Sequence, residues 1–397
     1  MASRTFDSEA VAFSHPRVQQ LDPLTSLRFF AALYVVVFHY GDSFFDKPLL
    51  CVFLPLGYSG VTFFFMLSGF ILSYNYRNVK FDACQEIMDY LIARLARIYP
   101  IFGLSILLSL PFFVGSLMHI SSPYTHLLAA SAILFAPLGL HAWVPGAACA
   151  LNCPSWSIST EFFFYLLFPF ILWRILRRPV AWSVATAIYL LLTWILLERL
   201  WSLYGQGFSL TGHSAHDHAS TNLVSQFIMY FPPNRLPEFM SGVLLFVLWS
   251  MGGRYCKNVP LLVSAFLLAS FVVFAFRDVI PDVALSNGFT AIAWAPLILA
   301  GASMRSGLLS WPPLIFLGRI SFSLYMLHIP AAQIVVSVDK YLLGGVVSSF
   351  PLLMLLCKLF LAGLMSTAAY CLVEEPGRHY IRRLWRVYQS VPVVVRL

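Results

Sequence analysis

Long runs of apolar residues, separated by short polar stretches, recur along almost the whole chain. Eleven such runs lie at residues 24–40, 57–76, 98–115, 126–140, 155–173, 181–200, 234–250, 259–276, 289–304, 313–336 and 350–373. A run of about 20 apolar residues is long enough to cross the hydrocarbon core of a bilayer as a helix. The pattern therefore predicts an all-α fold, a polytopic bundle of membrane-spanning helices.

The placement of Lys and Arg determines how many of these runs cross. Residues 116–155 contain neither Lys nor Arg, whereas Arg174, Arg177 and Arg178 directly follow the run at 155–173. Basic residues concentrate in cytoplasmic loops, and the loops alternate between sides only if the short run at 126–140 does not cross. We expect that run to be interfacial or re-entrant. The sequence thus predicts ten transmembrane helices with both termini in the cytoplasm.

Composition supports a membrane domain and argues against a nucleic-acid-binding protein. Of 397 residues, 59% are hydrophobic and only 11% are charged, against about 25% charged in a soluble domain. The net charge of +8 arises from basic residues at the ends of apolar runs. We therefore expect these residues to determine the membrane topology and to bind one anionic ligand. We expect a cytoplasmic segment at 1–23 without a cleavable signal, a transmembrane domain at 24–376 and a basic cytoplasmic tail at 377–397.

Ionisable residues inside the apolar runs are candidates for function, because each costs at least about 2.5 kcal/mol to insert. Arg28 and His39 share the first run and are eleven residues apart. At 3.6 residues per turn they face the same side of a helix, about 16 Å apart along its axis. A histidine titrates near neutral pH and suits a general base. The alternative is a histidine bonded to a backbone carbonyl between helices.

Two further buried candidates have competing structural explanations. Glu161 could orient or charge-stabilise a histidine, or it could pair with Arg235. His328 could serve the site, or it could only make a helix-packing hydrogen bond with Ser321 or Tyr325. From the residues alone, a structural pairing is the better explanation of Glu161.

Two arginines at the start of a predicted helix suggest a phosphate site. Arg94 and Arg97 are three residues apart, on one helix face. Guanidinium groups in this arrangement suit a phosphate, although anchoring to lipid headgroups explains them equally well. Lys358 lies eight residues inside the last run, where we expect an internal partner.

The cysteines and histidines do not predict a metal centre. Cys149 and Cys153 lie in one loop and can pair if that loop is oxidised, or they can remain free thiols. One short polar loop is rich in potential ligands, namely His213, His216, Asp217 and His218. Because this cluster is confined to one polar loop, we expect no bound metal.

Seven segments follow one another in an order that is specific for one family. They are LTSLRFFAALYVVVFH, GYSGVTFFFMLSGFILS with Ser68, the pair Arg94 and Arg97 before IYP, PSWSISTEFFFYLLFP, RLPEFMSGVLL, LGRISFSLYMLHIP and VEEPGR. Together they resemble the acyltransferase-3 family of integral membrane acyltransferases over about residues 24–380. Each segment is weakly diagnostic alone, whereas seven in order indicate the family but not the substrate.

The resemblance implies a fold, a donor and a set of site residues. It implies ten transmembrane helices, an acyl-CoA donor bound from the cytoplasm and, commonly, a carbohydrate acceptor. From the frequency of acetyl transfer in the family we expect the donor to be acetyl-CoA. Arg94 and Arg97 would bind the donor, and Arg28 and His39 would be the essential pair. We add Glu161 as a third catalytic candidate, with a pocket formed by Ser68, Arg235, Glu238, Tyr325 and His328.

The function that follows is membrane-bound O-acyl transfer from acyl-CoA to a hydroxyl of a carbohydrate or glycoconjugate. We expect a multi-pass protein of the bacterial cytoplasmic membrane, without the extracytoplasmic hydrolase-like (SGNH-type) domain that some family members carry after the last helix. One alternative acceptor is a secondary metabolite such as a glycosylated macrolide. An alternative of another class is a transporter, which would be expected to show an internal repeat and broken helices.

Overall fold

The computed structural model describes residues 20–41, 54–118, 123–205, 210 and 222–390, and this part of the chain is helical and contains no strand. The principal helices are α1 (Asp22–Tyr40), α2 (Gly60–Tyr76), α3 (Cys84–Leu117), α4 (Pro123–Phe135), α5 (Trp156–Arg177), α6 (Pro179–Tyr204), α7 (Leu223–Tyr230), α8 (Leu236–Ser250), α9 (Val259–Ala275), α10 (Ala291–Ser303), α11 (Pro312–Leu342), α12 (Pro351–Ala369) and α13 (Glu375–Ser390). Each of the eleven apolar runs coincides with one of these helices, because a backbone in lipid must satisfy its hydrogen bonds internally.

The lengths of the helices confirm a polytopic helix bundle. Within the described residues, eight helical segments are long and apolar enough to cross a membrane. The predicted spans at 234–250 and 259–276 form helices α8 and α9, of 15 and 17 residues. Helix α4 has 13 residues, fewer than the about 20 that a span requires. The count of ten and the sides of the termini therefore remain predictions.

Helices α1 and α11 pack in direct backbone contact. A Cβ atom on Gly318 of α11 would lie 1.9 Å from the carbonyl oxygen of Thr25, so only glycine fits there. The Ser26 hydroxyl donates to a carbonyl just ahead of α11 at 2.6 Å. At the other end of α1, the Tyr40 hydroxyl donates to the carbonyl oxygen of His328. These contacts hold the two helices at both ends of α1.

Helices α2 and α8 form a second close pair. A Cβ atom on Gly69 would lie 2.2 Å from the Phe239 carbonyl oxygen, and one on Gly242 would lie 1.9 Å from the Met66 carbonyl oxygen. Small residues let transmembrane helices approach until their backbones touch, which increases dispersion contacts that lipid cannot replace. The two helices are therefore in backbone contact at two positions.

The last helix, α13, is fastened to the first half of α3. Both the Trp385 indole N–H and the Gln389 amide donate to one Asp89 oxygen, at 2.6 and 2.5 Å. A Cβ atom on Gly377 would lie 2.9 Å from the Pro100 ring. The predicted tail at 377–397 thus begins inside an ordered helix, and its residues from 391 onward lie outside the described part.

The outer face of α13 is suited to a membrane surface. Tyr380, Leu384 and Val387 are exposed and recur at helical spacing, next to the exposed Arg383 and Arg386. An amphipathic helix with an apolar stripe and a basic flank lies in the plane of the lipid headgroups. We therefore expect α13 to lie along the membrane surface while its inner face contacts α3.

The close contact between α2 and α8 predicts that Gly242→Ala destabilises the protein. The added methyl group would overlap the Met66 carbonyl oxygen, so the helices must separate, at a cost of about 1–3 kcal/mol for an overpacked core. Thermal unfolding in detergent should show a lower midpoint. The matched control is Gly363→Ala in α12, where a Cβ atom meets nothing within 4 Å. Equal midpoints for both variants would contradict the packing of this pair.

Candidate active site

A pair of histidines lies where α1 meets α11. His328 Nε2 is 3.3 Å from His39 Nδ1, and the two ring centroids are 4.9 Å apart. His328 is fully buried, whereas His39 keeps part of its surface accessible. His39 is therefore the more accessible of the two rings, and His328 is the buried one.

Hydrogen-bond partners assign the protons on these rings. His328 Nδ1 is 2.7 Å from the Tyr325 carbonyl oxygen, which can only accept, so Nδ1 carries the proton and Nε2 of the neutral ring is an acceptor. His39 Nδ1 lies 2.9 Å from the Val35 carbonyl oxygen as well as facing that Nε2. Both neighbours accept, so His39 Nδ1 carries its proton. The basic nitrogen of His39 is therefore Nε2.

His328 makes the helix-packing contact expected from the sequence and, in addition, a contact with His39. Its bond to the Tyr325 carbonyl is the helix-packing contact that the sequence suggested. The other suggested partner, Ser321, instead donates to the Gly318 carbonyl oxygen at 2.7 Å. The contact with His39 joins His328 to a residue 289 positions away, which local sequence could not reveal.

The loop ahead of α5 folds in beside this pair. Pro330 has no N–H and leaves the Met326 carbonyl without its usual helical donor. The Asn152 side-chain amide donates to that carbonyl at 2.9 Å. The Tyr325 hydroxyl donates in turn to the Pro154 carbonyl at 3.2 Å. The proline in α11 therefore creates the attachment point that fixes the loop against the site.

A disulfide and a buried histidine stabilise the same loop. Cys149 and Cys153 are joined, which resolves the alternative that the sequence left open. His141 Nε2 lies 3.0 Å from Ser155 Oγ, whose own proton goes to the Asn152 carbonyl at 2.6 Å. Burial lowers the pKa of His141 to about 4, so the ring is neutral and donates to the serine. This pair is structural, because the serine proton is directed away from the histidine.

Three arginines gather at another level of the bundle. Arg28 of α1 lies within Coulombic range of Arg97 of α3, and of the carboxylates of Glu374 and Glu161. Within the described part of the chain, neither Arg28 nor the α3 pair has a carboxylate at ion-pair distance. The Arg94 guanidinium lies 5.7 Å from the ring centre of Tyr76. Like charges held together without close counter-ions favour an anionic ligand.

Glu161 belongs to this arginine cluster. It accepts a hydrogen bond from the Tyr165 hydroxyl at 2.8 Å, and its Coulombic neighbours include Arg97 and Arg28. The expected pairing with Arg235 is wrong, because Arg235 is bonded elsewhere. Glu161 makes no hydrogen bond to either histidine among the described residues. Its ionisable neighbours in the described structure are therefore arginines and a tyrosine, and not the two histidines.

Arg235 and Glu238 form a closed, buried ion pair. Two nitrogen atoms of Arg235 reach the two carboxylate oxygens, each at 2.8 Å, and Thr62 donates to Glu238 at 2.9 Å. Arg235 also donates to the Ser286 carbonyl oxygen, and its guanidinium lies 5.4 Å from the Trp156 ring centre. Because these contacts satisfy both charges, the pair links α2, α8 and the segment before α10.

The predicted pocket residue Ser68 lies on the one face of α2 that is not completely buried. Along the buried helix α2, only Phe64, Ser68 and Ile71 remain partly accessible between positions 61 and 74. Their spacing places them on one helix face, and the Phe64 ring lies 5.8 Å from that of Tyr325. This partly accessible face of α2 is therefore the one that contacts the predicted pocket residue Tyr325 of α11.

Some site residues were not predicted as such from the sequence. Glu374 accepts from Ser323 at 2.6 Å and lies within Coulombic range of Arg97 and Arg28. It lies in the segment VEEPGR, which indicated the family but gave no sign that Glu374 belongs to the site. Lys358 lies next to the histidine pair. Its ammonium group is 5.7 Å from the ring centre of Tyr40, whose ring is 5.9 Å from that of His328.

The described residues contain no group of three or more His, Cys, Asp or Glu side chains placed to hold a metal ion. The polar loop with His213, His216, Asp217 and His218 lies outside the described residues.

Comparison with known families matches the sequence to one of them. The family model described as an acyltransferase domain, Acyl_transf_3, matches residues 23–373. The chain belongs to the acyltransferase-3 family. This member is an acyltransferase and a multi-pass integral membrane protein, as the sequence segments indicated. No solved structure matches the chain.

Two relatives illustrate how far the similarity extends. Acyltransferase MdmB of Streptomyces mycarofaciens is 29% identical over 346 residues, which cover 83% of this chain and 82% of the relative. O-acetyltransferase OatA of Staphylococcus aureus is 23% identical over 398 residues, covering 90% of this chain. The alignment covers only 57% of the length of OatA, so the resemblance concerns part of that protein.

The buried ion pair predicts that Glu238→Ala destabilises this acyltransferase strongly. Removal of the carboxylate leaves Arg235 charged and unpaired in the bundle, which typically costs about 3–5 kcal/mol. Thermal unfolding in detergent measures the loss. The control is Asp278→Ala, which removes a carboxylate that is 90% exposed in its pair with Arg277 and should leave the midpoint unchanged. A Glu238→Ala midpoint equal to that of the control would show that the pair is not structural.

Proposed function

We propose that this acyltransferase moves an acetyl group from acetyl-CoA to a hydroxyl group of a carbohydrate or glycoconjugate. The observation that carries the proposal is the His39–His328 pair, which leaves the basic Nε2 atom on the more accessible ring. A base of this kind is what a hydroxyl acceptor requires. One relative is named an O-acetyltransferase, which supports both the acetyl group and the oxygen acceptor.

The arginine cluster supports the donor. Arg28 and His39 lie on one unbroken helix, α1, about 16 Å apart along its axis. In an acyl-CoA donor, the phosphates and the thioester are also far apart, because the pantetheine arm lies between them. Phosphates held by Arg94 and Arg97 would allow that arm to extend along α1 toward His39. The two levels of the site therefore correspond to the two ends of one long donor.

The proposed chemistry is direct transfer with His39 as general base. His39 Nε2 takes the proton of the acceptor hydroxyl as its oxygen bonds to the thioester carbonyl carbon. The C–S bond then breaks, and the departing sulfur takes the proton from His39. His328 Nε2 accepts from His39 Nδ1 throughout, so it holds the ring in place and stabilises the imidazolium that forms.

Arg28 and Glu161 have a different part in this proposal. Both lie with Arg97, about three helical turns from His39 along α1. We assign both residues to the part of the site that binds the phosphates of the donor. Arg28 adds positive charge there, and Glu161 offsets part of the positive charge of the arginines. The histidines carry the proton transfer.

The proposed location is the cytoplasmic membrane of a bacterium, with the arginine cluster open to the cytoplasm. Basic loops concentrate on that side, and it is the side on which CoA thioesters are available. Both relatives come from bacteria. A glycosylated secondary metabolite would offer the same hydroxyl chemistry as a polysaccharide, so the acceptor assay should include both classes.

The proposal predicts that His39→Ala abolishes acetyl transfer while the protein remains folded. Loss of a general base lowers kcat by about 10²–10⁴-fold, and the KM for acetyl-CoA should change little. His328→Ala should cause a smaller loss. His328→Gln should restore part of it, because the glutamine oxygen can still accept from His39 Nδ1. The measurement is transfer of radiolabelled acetyl from acetyl-CoA to a mixed acceptor pool, together with the release of free CoA.

The matched control is His126→Ala, which removes an exposed histidine of α4 and should leave kcat unchanged. Full activity in folded His39→Ala would exclude this residue as the base. Wild-type protein that neither binds nor consumes any acyl-CoA would contradict the donor.

A further inference from the structure

The arginine cluster extends beyond the residues assigned to the donor so far. Arg382 of α13 lies within Coulombic range of Arg94, Arg378 and Arg97. Glu374, which lies near Arg97 and Arg28, is also within range of Arg378. The first turns of α13 therefore face the same space as the α3 pair.

The attachment of α13 makes this placement specific. Trp385 and Gln389 both bond Asp89 near the start of α3. Gly377 contacts Pro100, farther along the same helix. Because α13 is fixed at both ends on α3, the arginines between these contacts are held beside Arg94 and Arg97.

Among the described residues, the carboxylates in this cluster are fewer than the arginines and few of them lie close to a guanidinium group. The only ion pair of Arg378 among the described residues is a long one with Glu375, at 3.6 Å. The Nε atoms of Arg94 and Arg378 are both buried without a hydrogen-bond partner in the described part. The cluster thus contains five guanidinium groups and three carboxylates. The guanidinium groups belong to Arg28, Arg94, Arg97, Arg378 and Arg382, and the carboxylates belong to Glu161, Glu374 and Glu375. Buried donors without acceptors indicate an anion that the protein alone does not supply.

We propose that Arg378 and Arg382 bind the 3′-phosphate of the acyl-CoA donor, while Arg94 and Arg97 bind its diphosphate. This inference rests on the proposed acetyl-CoA donor and specifies how that donor is recognised. The ribose 3′-phosphate lies at the end of CoA farthest from the thioester, so it should be bound farthest from His39. Arg382 is exposed at the mouth of the cluster, whereas Arg94 and Arg97 are partly buried.

The inference also gives α13 a function. A phosphomonoester carries about −1.5 to −2 charges at neutral pH, enough to neutralise two arginines at the entrance. A helix that lies on the membrane surface and contributes to the donor site would favour complete CoA over shorter thioesters. The helix at the end of the described chain would then determine donor specificity.

The test compares acetyl-CoA with acetyl-3′-dephospho-CoA on purified protein. Wild type should show a KM for acetyl-CoA lower by about tenfold or more, the effect of one or more charge-assisted hydrogen bonds. The double variant Arg378→Gln/Arg382→Gln should raise the KM for acetyl-CoA to that of the dephospho donor. Its KM for the dephospho donor and its kcat should remain unchanged. Because each protein is measured with both donors, a partly unfolded preparation cannot mimic this pattern.

The matched control is Arg383→Gln, which removes an exposed arginine about 100° around α13 from Arg382 and should keep the wild-type preference. A double variant that keeps the preference, or that raises both KM values equally, would overturn the inference. Equal KM values in wild type would overturn it as well. Those outcomes leave the proposed function intact, whereas wild-type turnover with neither donor would contradict the proposed function itself.

Discussion

The site depends on the backbone contact between helices α1 and α11. Gly318 allows α11 to touch α1 at Thr25, and the Tyr40 hydroxyl joins the other end of α1 to the His328 carbonyl. Because α1 is unbroken, this one contact surface fixes the level of Arg28 and the level of His39 together. A side chain on Gly318 would move both relative to the remaining helices, so the geometry of the site follows from the packing of two helices.

The bilayer environment determines which polar groups are structural and which are available to a ligand. Arg235 and Glu238 are buried and satisfy one another completely, so they stabilise the bundle. Among the described residues, Arg94 and Arg378 keep buried Nε atoms without a hydrogen-bond partner. In a medium of low polarity an unpaired buried donor is costly, so this contrast separates a structural ion pair from a candidate binding site more clearly than residue type does.

Much of the fold was predictable from sequence, because lipid forces each apolar run to close its own backbone hydrogen bonds. The shared face of Arg28 and His39 was also predictable, because it depends only on the periodicity of a continuous helix. The partners of Glu161 and His328 were not predictable. Arg235 could bond Glu238 three residues away or Glu161 on another helix, and only tertiary packing selects between them. Likewise, the link between His39 and His328 spans 289 positions.

The central claim is that one donor molecule extends from the arginine cluster to the histidine pair. The most direct measurement is a structure of the protein in lipid nanodiscs with a non-hydrolysable thioether analogue of acetyl-CoA. The account predicts phosphates against Arg94 and Arg97 and the acyl carbon beside His39, near enough for an acceptor hydroxyl to contact both. Phosphates bound away from the arginines, or an acyl group out of reach of His39, would contradict it.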